Sequence, residues 1–189
     1  SCQELINLAS MLYSNEYKNQ GGFMSIVACK ITKEGYEIAA DSISVRGSTQ
    51  TKNNTSRSKL VEVNNMVIGS VGLAEESSLL QIFAKTHQPA AATEEGILEF
   101  WSEFSEWKKK RTDRSNIENS YFIGVDGIVF YINHWLIASV TSYQAIGAGM
   151  DFALAALHLG HSAEDAVKTA IELSIFCEAP VQVVKKKNK

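Results

Sequence analysis

The sequence predicts an α+β fold in which two antiparallel β-sheets lie face to face and a pair of helices covers each outer surface. The order of elements carries this prediction. Two hairpins with period-two patterning precede a pair of helices, and more antiparallel strands, a second helix pair and a closing strand follow. At 189 residues with 45% hydrophobic content, the chain is long enough for one domain with a substantial core.

The first 23 residues are expected to form an extension that precedes this domain. Apolar residues at helical spacing as far as Tyr13 predict a short amphipathic helix, and the polar run that ends in Gly21-Gly22 predicts a linker. We therefore divide the chain into an extension of residues 1–23 and a domain of residues 24–189.

Two hairpins are predicted at the start of the domain. Lys33-Glu34-Gly35 suits the loop of the first hairpin, and Asn64-Asn65 tolerates the left-handed turn that the second one needs. The predicted strands are residues 25–32, 36–45, 59–63 and 66–71, with a polar loop over residues 46–58 between the hairpins.

Two helices are predicted next, over residues 75–87 and 93–111, with Gln88-Pro89 between them. The second helix carries a stripe of aromatic side chains at helical spacing, which is typical of a core-facing surface. This stripe comprises Phe100, Trp101, Phe104 and Trp107.

Strands return after the helix pair. Asp126-Gly127 is the strongest short hairpin signal in the chain and joins residues 121–125 to residues 128–132, and residues 136–141 predict a further strand. The closing elements are a helix over about residues 151–159 opened by Gly147-Ala148-Gly149, a helix from the N-cap Ser162 to about residue 178, and a strand over residues 179–184.

Composition excludes several classes of function. A net charge of −3 gives no electrostatic footprint for nucleic acid, and the basic runs at residues 108–111 and 185–187 are interpreted as solvated ends of elements. Three scattered cysteines provide neither a disulfide framework nor a zinc site, and no apolar run approaches the roughly 20 residues that span a bilayer. We expect a soluble, cytoplasmic protein without a metal or cofactor.

Ser25 is the candidate nucleophile because it stands directly before a strand whose hairpin partner leads to Asp41. If Ser25 were the first residue of the mature chain, its hydroxyl and its own α-amine would combine a nucleophile and a base. An α-amine titrates near pH 8, so an appreciable fraction is neutral at pH 7. Because Met24 acylates this nitrogen in the sequence as written, the chemistry requires cleavage before Ser25.

Four segments occur in an order that resembles one known family. They are Ile26-Val27 leading to Ile38-Ala39-Ala40-Asp41, Lys59-Leu60-Val61-Glu62-Val63, Ala145-Ile146-Gly147-Ala148-Gly149 and Ser162-Ala163-Glu164-Asp165-Ala166-Val167. The chain from residue 24 to about residue 184 thereby resembles the proteasome β-subunits and bacterial HslV-type peptidases of the N-terminal-nucleophile (Ntn) hydrolase superfamily. The resemblance implies a four-layer αββα sandwich.

The resemblance also implies roles for individual residues. Asp41 matches the family aspartate that pairs with a buried lysine, and Lys59 matches that lysine, whose charge favours the neutral form of the neighbouring amine. Gly72 matches the glycine whose backbone amide donates to the oxyanion. The catalytic set that the resemblance implies is therefore Ser25, Asp41, Lys59 and Gly72.

The chain departs from the family pattern at three positions. The expected nucleophile is serine where the family has threonine, and a second way of aligning the segment places Met24 at the nucleophile position. Ala148 replaces a family serine whose hydroxyl bonds near the terminal amine. The extension has three interpretations that stay open: a propeptide, an extension like that of the α-type subunits, or a segment from an expression vector or upstream reading.

The resemblance implies a peptidase that hydrolyses unfolded polypeptides or peptides inside a self-compartmentalised, homo-oligomeric ring. The sequence contains no nucleotide-binding loop, so any ATP dependence would come from a separate ATPase unfoldase. Two alternatives remain: a non-catalytic ring or scaffold subunit of the same fold, and an amidase acting on small molecules.

Overall fold

A computed structural model describes residues 24–46, 49–51 and 58–188. The predicted helix and linker of residues 1–23, and most of the predicted loop over residues 46–58, lie outside the described residues. No helix in the described ranges combines the length and the hydropathy that a membrane crossing needs.

The first sheet has four antiparallel strands in the order β10-β1-β2-β11. Thr32 pairs with Gly35, so the hairpin loop holds only Lys33 and Glu34, and the predicted three-residue loop was one residue too long. The strands are β1 (Val27–Thr32), β2 (Gly35–Ala40), β10 (Tyr143–Ile146) and β11 (Gln182–Lys187).

The predicted strand over residues 36–45 is in fact interrupted. β2 ends at Ala40, and a separate short strand β3 (Ser44–Arg46) pairs with β4 (Thr49–Thr51). The interruption has a physical cause, because the buried Asp41 carboxylate after Ala40 accepts the backbone amide of Ile43 at 3.3 Å and so bends the chain.

The second sheet is a five-stranded antiparallel meander in chain order. Asn64 and Asn65 have φ values of 47° and 61°, and Asp126 and Gly127 have values of 48° and 85°, so both predicted turns adopt the left-handed geometry that tight hairpins require. The strands are β5 (Leu60–Val63), β6 (Met66–Val71), β7 (Ser120–Val125), β8 (Ile128–Asn133) and β9 (Leu136–Ser139).

Four helices complete the described fold: α1 (Ala74–Ala84), α2 (Glu94–Thr112), α3 (Met150–His158) and α4 (Ala163–Leu173). The predicted N-cap Ser162 accepts the amide of Asp165 at 3.0 Å. The prediction that this last helix reaches residue 178 was wrong, because Ser174 is already extended, with φ −111° and ψ 124°.

Three groups of buried side chains define four layers. One group lies between the second sheet and α1–α2 and contains Phe104 and Trp101, and another lies between the first sheet and α3–α4 and contains Ile26 and Ala166. The third group lies between the two sheets and is contributed by both. Its members include Val27, Ile38, Val67, Phe122 and Ile146. The predicted αββα sandwich of two antiparallel sheets is confirmed.

Candidate active site

The predicted site residues all lie at one end of the sandwich, and strand register explains why. Val27 pairs with Ala40, so Ser25, which precedes β1, and Asp41, which follows β2, lie at the same end of these two strands. In the second sheet the carbonyl of Lys59 accepts the amide of Ser70 at 2.9 Å, so Lys59 and the nearby Gly72 lie at the same end of β5 and β6.

Asp41 is the centre of a hydrogen-bonded group at this end. Its carboxylate is fully buried, and Oδ1 accepts the Lys59 ammonium at 2.7 Å and the amide of Ile26 at 3.0 Å. Oδ2 accepts the amides of Ile43 at 3.3 Å and Glu178 at 3.1 Å. One ammonium and three amides thus compensate the buried charge, which would otherwise be costly to desolvate.

Lys59 carries an ammonium that is largely withdrawn from water, with 18% of its side chain exposed. Burial lowers the pKa of Lys59 from its ordinary value of 10.5, and this effect outweighs the attraction of the Asp41 carboxylate, which acts in the opposite direction. Lys59 therefore places a positive charge beside Asp41 and holds its proton less firmly than a solvated lysine does.

Ser25 is buried, with 4% of its surface exposed. Its Oγ donates to the carbonyl of Met24, and its own carbonyl accepts the amide of Gly149 at 3.3 Å. The next residue, Ile26, donates to Asp41, so the backbone at Ser25 is fixed on both sides relative to the Asp41–Lys59 pair.

The turn of residues 147–149 packs directly on Ser25. Gly147 has φ +107°, and a Cβ there would lie 2.3 Å from the Ser25 carbonyl oxygen and 3.3 Å from Cγ1 of Val71. The turn can approach this closely only because the residue is glycine. Ala148 follows on the exposed side and provides no hydroxyl.

Gly72 follows β6 and lies in a second group of contacts. Its φ of +133° is a conformation that side-chain-bearing residues rarely adopt, and a Cβ would lie 2.1 Å from Oδ1 of Asn119. The structure thus joins Asp41, Lys59 and the residue after Ser25 by direct hydrogen bonds, and holds Gly72 at the same end against Asn119.

Two residues near the site are buried although the sequence did not predict it. Cys177 is buried close to the Asp41–Lys59 pair, and burial, with a smaller effect of the Asp41 charge, raises the pKa of its thiol to about 11. Lys108 is not a solvated helix end as interpreted, because it is only 5% exposed and donates to Glu76 at 2.5 Å. Neither position carries a local sequence signal.

Within the described residues, no group of three His, Cys, Asp or Glu side chains is arranged to hold a metal ion. The site instead contains a buried carboxylate, a desolvated ammonium, a serine and two close-packed glycine turns. Together with the four layers, these features define an αββα sandwich with a candidate active site where the strands of its two sheets end.

No family model and no curated protein matches this chain. Solved structures do match, and they share its fold. BPH from Thiobacillus denitrificans, solved in complex with Epoxomicin, is 18% identical, with a TM-score of 0.78 over 87% of this chain and 99% of its own. Anbu, an ancestral beta-subunit from Yersinia bercovieri, is 15% identical, with a TM-score of 0.61 over 84% of this chain and 80% of its own.

HslV from Trypanosoma brucei is 20% identical, with a TM-score of 0.60 over 85% of this chain and 99% of its own. These structures are relatives of the proteasome type, so the resemblance inferred from the sequence is confirmed at the level of fold. The chain has the fold of the proteasome-like Ntn hydrolases.

Proposed function

We propose that this protein is a proteasome-like Ntn peptidase that becomes active when the residues before Ser25 are removed. The observation that carries the proposal is the Asp41 carboxylate, which binds the Lys59 ammonium and the backbone amide of Ile26 through one oxygen. The contact supports the proposal because it joins the Lys59 ammonium, through Asp41, to the residue that follows Ser25. The likeness to BPH, which binds Epoxomicin, supports the same assignment.

The proposed reaction begins when the Ser25 hydroxyl attacks the carbonyl carbon of the scissile peptide and the Ser25 α-amine accepts the hydroxyl proton. The charge that develops on the carbonyl oxygen is stabilised by the backbone amide of Gly72. Collapse of the tetrahedral intermediate passes the proton to the leaving amine and forms an ester on Ser25. Water, deprotonated by the same α-amine, then hydrolyses this ester and regenerates the site.

Lys59 would act electrostatically in this scheme. A nearby positive charge favours the neutral form of the α-amine, which is the form that accepts a proton. Because Asp41 offsets part of that charge, the position of the Lys59–Asp41 pair determines how strongly the amine is affected.

We further propose a homo-oligomeric, cytoplasmic ring that encloses the sites and acts on unfolded polypeptides or peptides. A separate ATPase unfoldase would deliver folded substrates. Nucleic acid and membranes are not proposed as partners. These assignments rest on the likeness of fold to HslV and BPH.

A non-catalytic ring or scaffold subunit is the second candidate, and two observations favour it. Ser25 is acylated by Met24 in this chain and turns its hydroxyl towards the Met24 carbonyl. Ala148 also leaves the neighbouring turn without a hydroxyl. A chain that is never cut would keep the fold and the Ser25 hydroxyl but would have no free α-amine to activate it.

The test combines N-terminal mass with activity. Protein produced from its native gene is analysed by intact mass, and hydrolysis is measured on fluorogenic peptides, an unfolded protein and small amides. Ser25→Ala should reduce peptide hydrolysis by roughly three orders of magnitude or more. Ser105→Ala is the matched control, because Ser105 is also buried and donates to a backbone carbonyl, that of Ser115 at 2.9 Å, but lies in α2.

Each outcome discriminates between the candidates. A mature chain that begins at Ser25, with activity lost only in Ser25→Ala, would support the peptidase. A chain that begins at or before Met24 and hydrolyses nothing would support the scaffold subunit. Full peptidase activity in Ser25→Ala would show that the nucleophile is misassigned, and hydrolysis of small amides alone would indicate an amidase.

A further inference from the structure

A buried ion pair between α1 and α2 lies outside the chemistry proposed above. Glu76 and Lys108 are 2% and 5% exposed, and the Lys108 Nζ lies 2.5 Å from Oε2 of Glu76. A pair of charges this deeply buried is costly to desolvate, so it persists only where further hydrogen bonds compensate it. The hydrogen bonds that compensate this pair connect it to the segment that contacts the candidate site.

Glu76 uses its other contacts to hold the start of β7 and the residues directly before it. Its carboxylate accepts the amides of Glu118 at 3.1 Å and Asn119 at 3.0 Å and the hydroxyl of Tyr121 at 3.0 Å. Lys108 also donates to the carbonyl of Asn116. In the described part of the chain every buried side-chain nitrogen or oxygen has at least one hydrogen-bond partner, and this includes the polar atoms of this cluster.

The side chain of Asn119, whose backbone Glu76 holds in place, binds the turn after β6. Its side chain is fully buried, and Oδ1 accepts the amide of Leu73 at 2.6 Å while Nδ2 donates to the carbonyl of the same residue at 2.9 Å. Nδ2 also donates to Oγ of Ser77 at 3.0 Å. Two opposed hydrogen bonds to one residue fix both its position and its orientation.

Gly72 is the residue whose geometry depends on this contact. It directly precedes Leu73, adopts φ +133°, and approaches Asn119 so closely that a Cβ would lie 2.1 Å from Oδ1. Without a side chain Gly72 has a broad choice of conformations, so its native one must be imposed from outside. The Asn119 side chain lies against Gly72 and is hydrogen-bonded to Leu73.

We propose that Asn119, held in place by the Glu76–Lys108 ion pair, is a positioning residue that fixes the conformation of Gly72 and so aims its backbone amide into the site. Its effect on catalysis rests on the proposed function, in which that amide stabilises the oxyanion. Its effect on the Gly72–Leu73 turn does not, and is measurable without any substrate.

The first measurement is amide hydrogen exchange of the full-length protein by NMR. In Asn119→Ala we expect the Leu73 amide to exchange about tenfold faster or more, because its acceptor is gone, while amides inside β6 stay protected. Ser77→Ala is the matched control: it removes one partner of Asn119 but leaves both bonds to Leu73, so Leu73 should exchange as in the wild type. Asn119→Leu, which fills a similar volume, replaces the alanine variant if that one does not fold.

The second measurement is steady-state peptidase kinetics. An oxyanion donor acts in the transition state, so Asn119→Ala should lower kcat about tenfold to a hundredfold with KM nearly unchanged, whereas Ser77→Ala should keep the wild-type kcat. Unchanged exchange at Leu73 would overturn the proposal, as would faster exchange with an unchanged kcat. If the wild type hydrolyses nothing, the proposed function fails, and exchange at Leu73 alone decides whether Asn119 fixes the turn.

Discussion

At the scale of single residues, Asp41 determines the geometry of the candidate site because its carboxylate joins three separate segments. It accepts from the residue before β1 through Ile26, from the residue before β5 through Lys59, and from the segment after α4 through Glu178. A charged acceptor with no exposure to water has to keep these donors, so the segments cannot separate without a large cost. The same contacts that satisfy a buried charge therefore assemble the site.

The pH dependence of stability in Lys59→Met tests whether burial or the attraction of Asp41 dominates the pKa of Lys59. The folded state lowers the pKa of Lys59 below its ordinary value of 10.5, so between those two values the unfolded chain binds more protons. The free energy of unfolding of the wild type should therefore increase with pH in that interval, and that of Lys59→Met should not show this increase. Urea unfolding of both proteins at several pH values up to 10 measures the difference between them.

The sign of this difference is the informative quantity. The free energy of unfolding of the wild type minus that of Lys59→Met should increase as pH rises towards 10.5. The reason is that the cost of burying the Lys59 ammonium disappears when the ammonium loses its proton. Cys29 and Tyr36 also titrate in alkali, but neither interacts with Lys59, so their contributions are common to both proteins and cancel. The Cys177 thiol does interact with the Lys59 charge, so both proteins are compared in a Cys177→Ser background. A difference that shrinks with pH would mean that attraction to Asp41, not burial, dominates at Lys59.

At the scale of elements, local signals predicted the hairpins well and long-range contacts were missed. Asn64-Asn65 and Asp126-Gly127 specify left-handed turns by their own chemistry, so both were predictable. β10 (Tyr143–Ile146) was missed because it is only four residues long and exists through pairing with β1, more than 100 residues earlier in the chain. α4 was extended too far because exposed apolar residues such as Ile175 continue a helical pattern after the helix has ended.

The residues of the candidate site also differ in whether a local sequence signal or only a long-range contact identifies them. Ser25, Asp41, Lys59 and Gly72 each carry a recognisable local context, so their positions could be proposed from sequence. Asn119 has none: it lies in a polar segment between a helix and a strand, and its contact with Leu73 spans 46 positions. Glu76 and Lys108 also look like ordinary charges near helix ends, and only the tertiary fold buries them.

The buried pair between α1 and α2 gives a prediction at this scale. Lys108→Met should destabilise the protein by about 3–5 kcal/mol, because it leaves the buried Glu76 carboxylate without its cation. Lys168→Met is the matched control, since Lys168 pairs with Glu164 within α4 on the solvent-exposed surface and should leave the unfolding midpoint nearly unchanged. Denaturant titrations of the three proteins give the comparison, and equal losses in both variants would contradict it.

At the scale of the whole molecule, the distance between the two sheets depends on glycines that face the opposite sheet. A Cβ at Gly69 would lie 2.9 Å from Cγ1 of Val27, and a Cβ at Gly124 would lie 2.5 Å from the hydroxyl oxygen of Tyr36 and 2.7 Å from its ring. Tyr36 is buried, so its ring cannot move aside into water. The absence of a side chain at these two positions lets the sheets approach and excludes water from the shared core.

Gly124→Val should therefore destabilise both halves of the sandwich together. The added side chain meets the buried Tyr36 ring, and overpacking of this kind costs about 1–3 kcal/mol. All three tryptophans, Trp101, Trp107 and Trp135, belong to the half built on the second sheet, so their fluorescence reports that half while far-UV circular dichroism reports the whole chain. Thermal unfolding followed by both signals should give one shared, lower midpoint.

Ala138→Val is the control for that experiment, because it adds a branched side chain at a half-buried position of the edge strand β9. We expect its stability to stay within about 0.5 kcal/mol of the wild type. If Gly124→Val lowered the fluorescence midpoint and left a separate transition at the wild-type temperature in the dichroism, the sheets would be independent units. A single shared shift would instead mean that the segments joined at Asp41 can separate only when the whole sandwich unfolds, which would make the rigidity of the site a property of the entire fold.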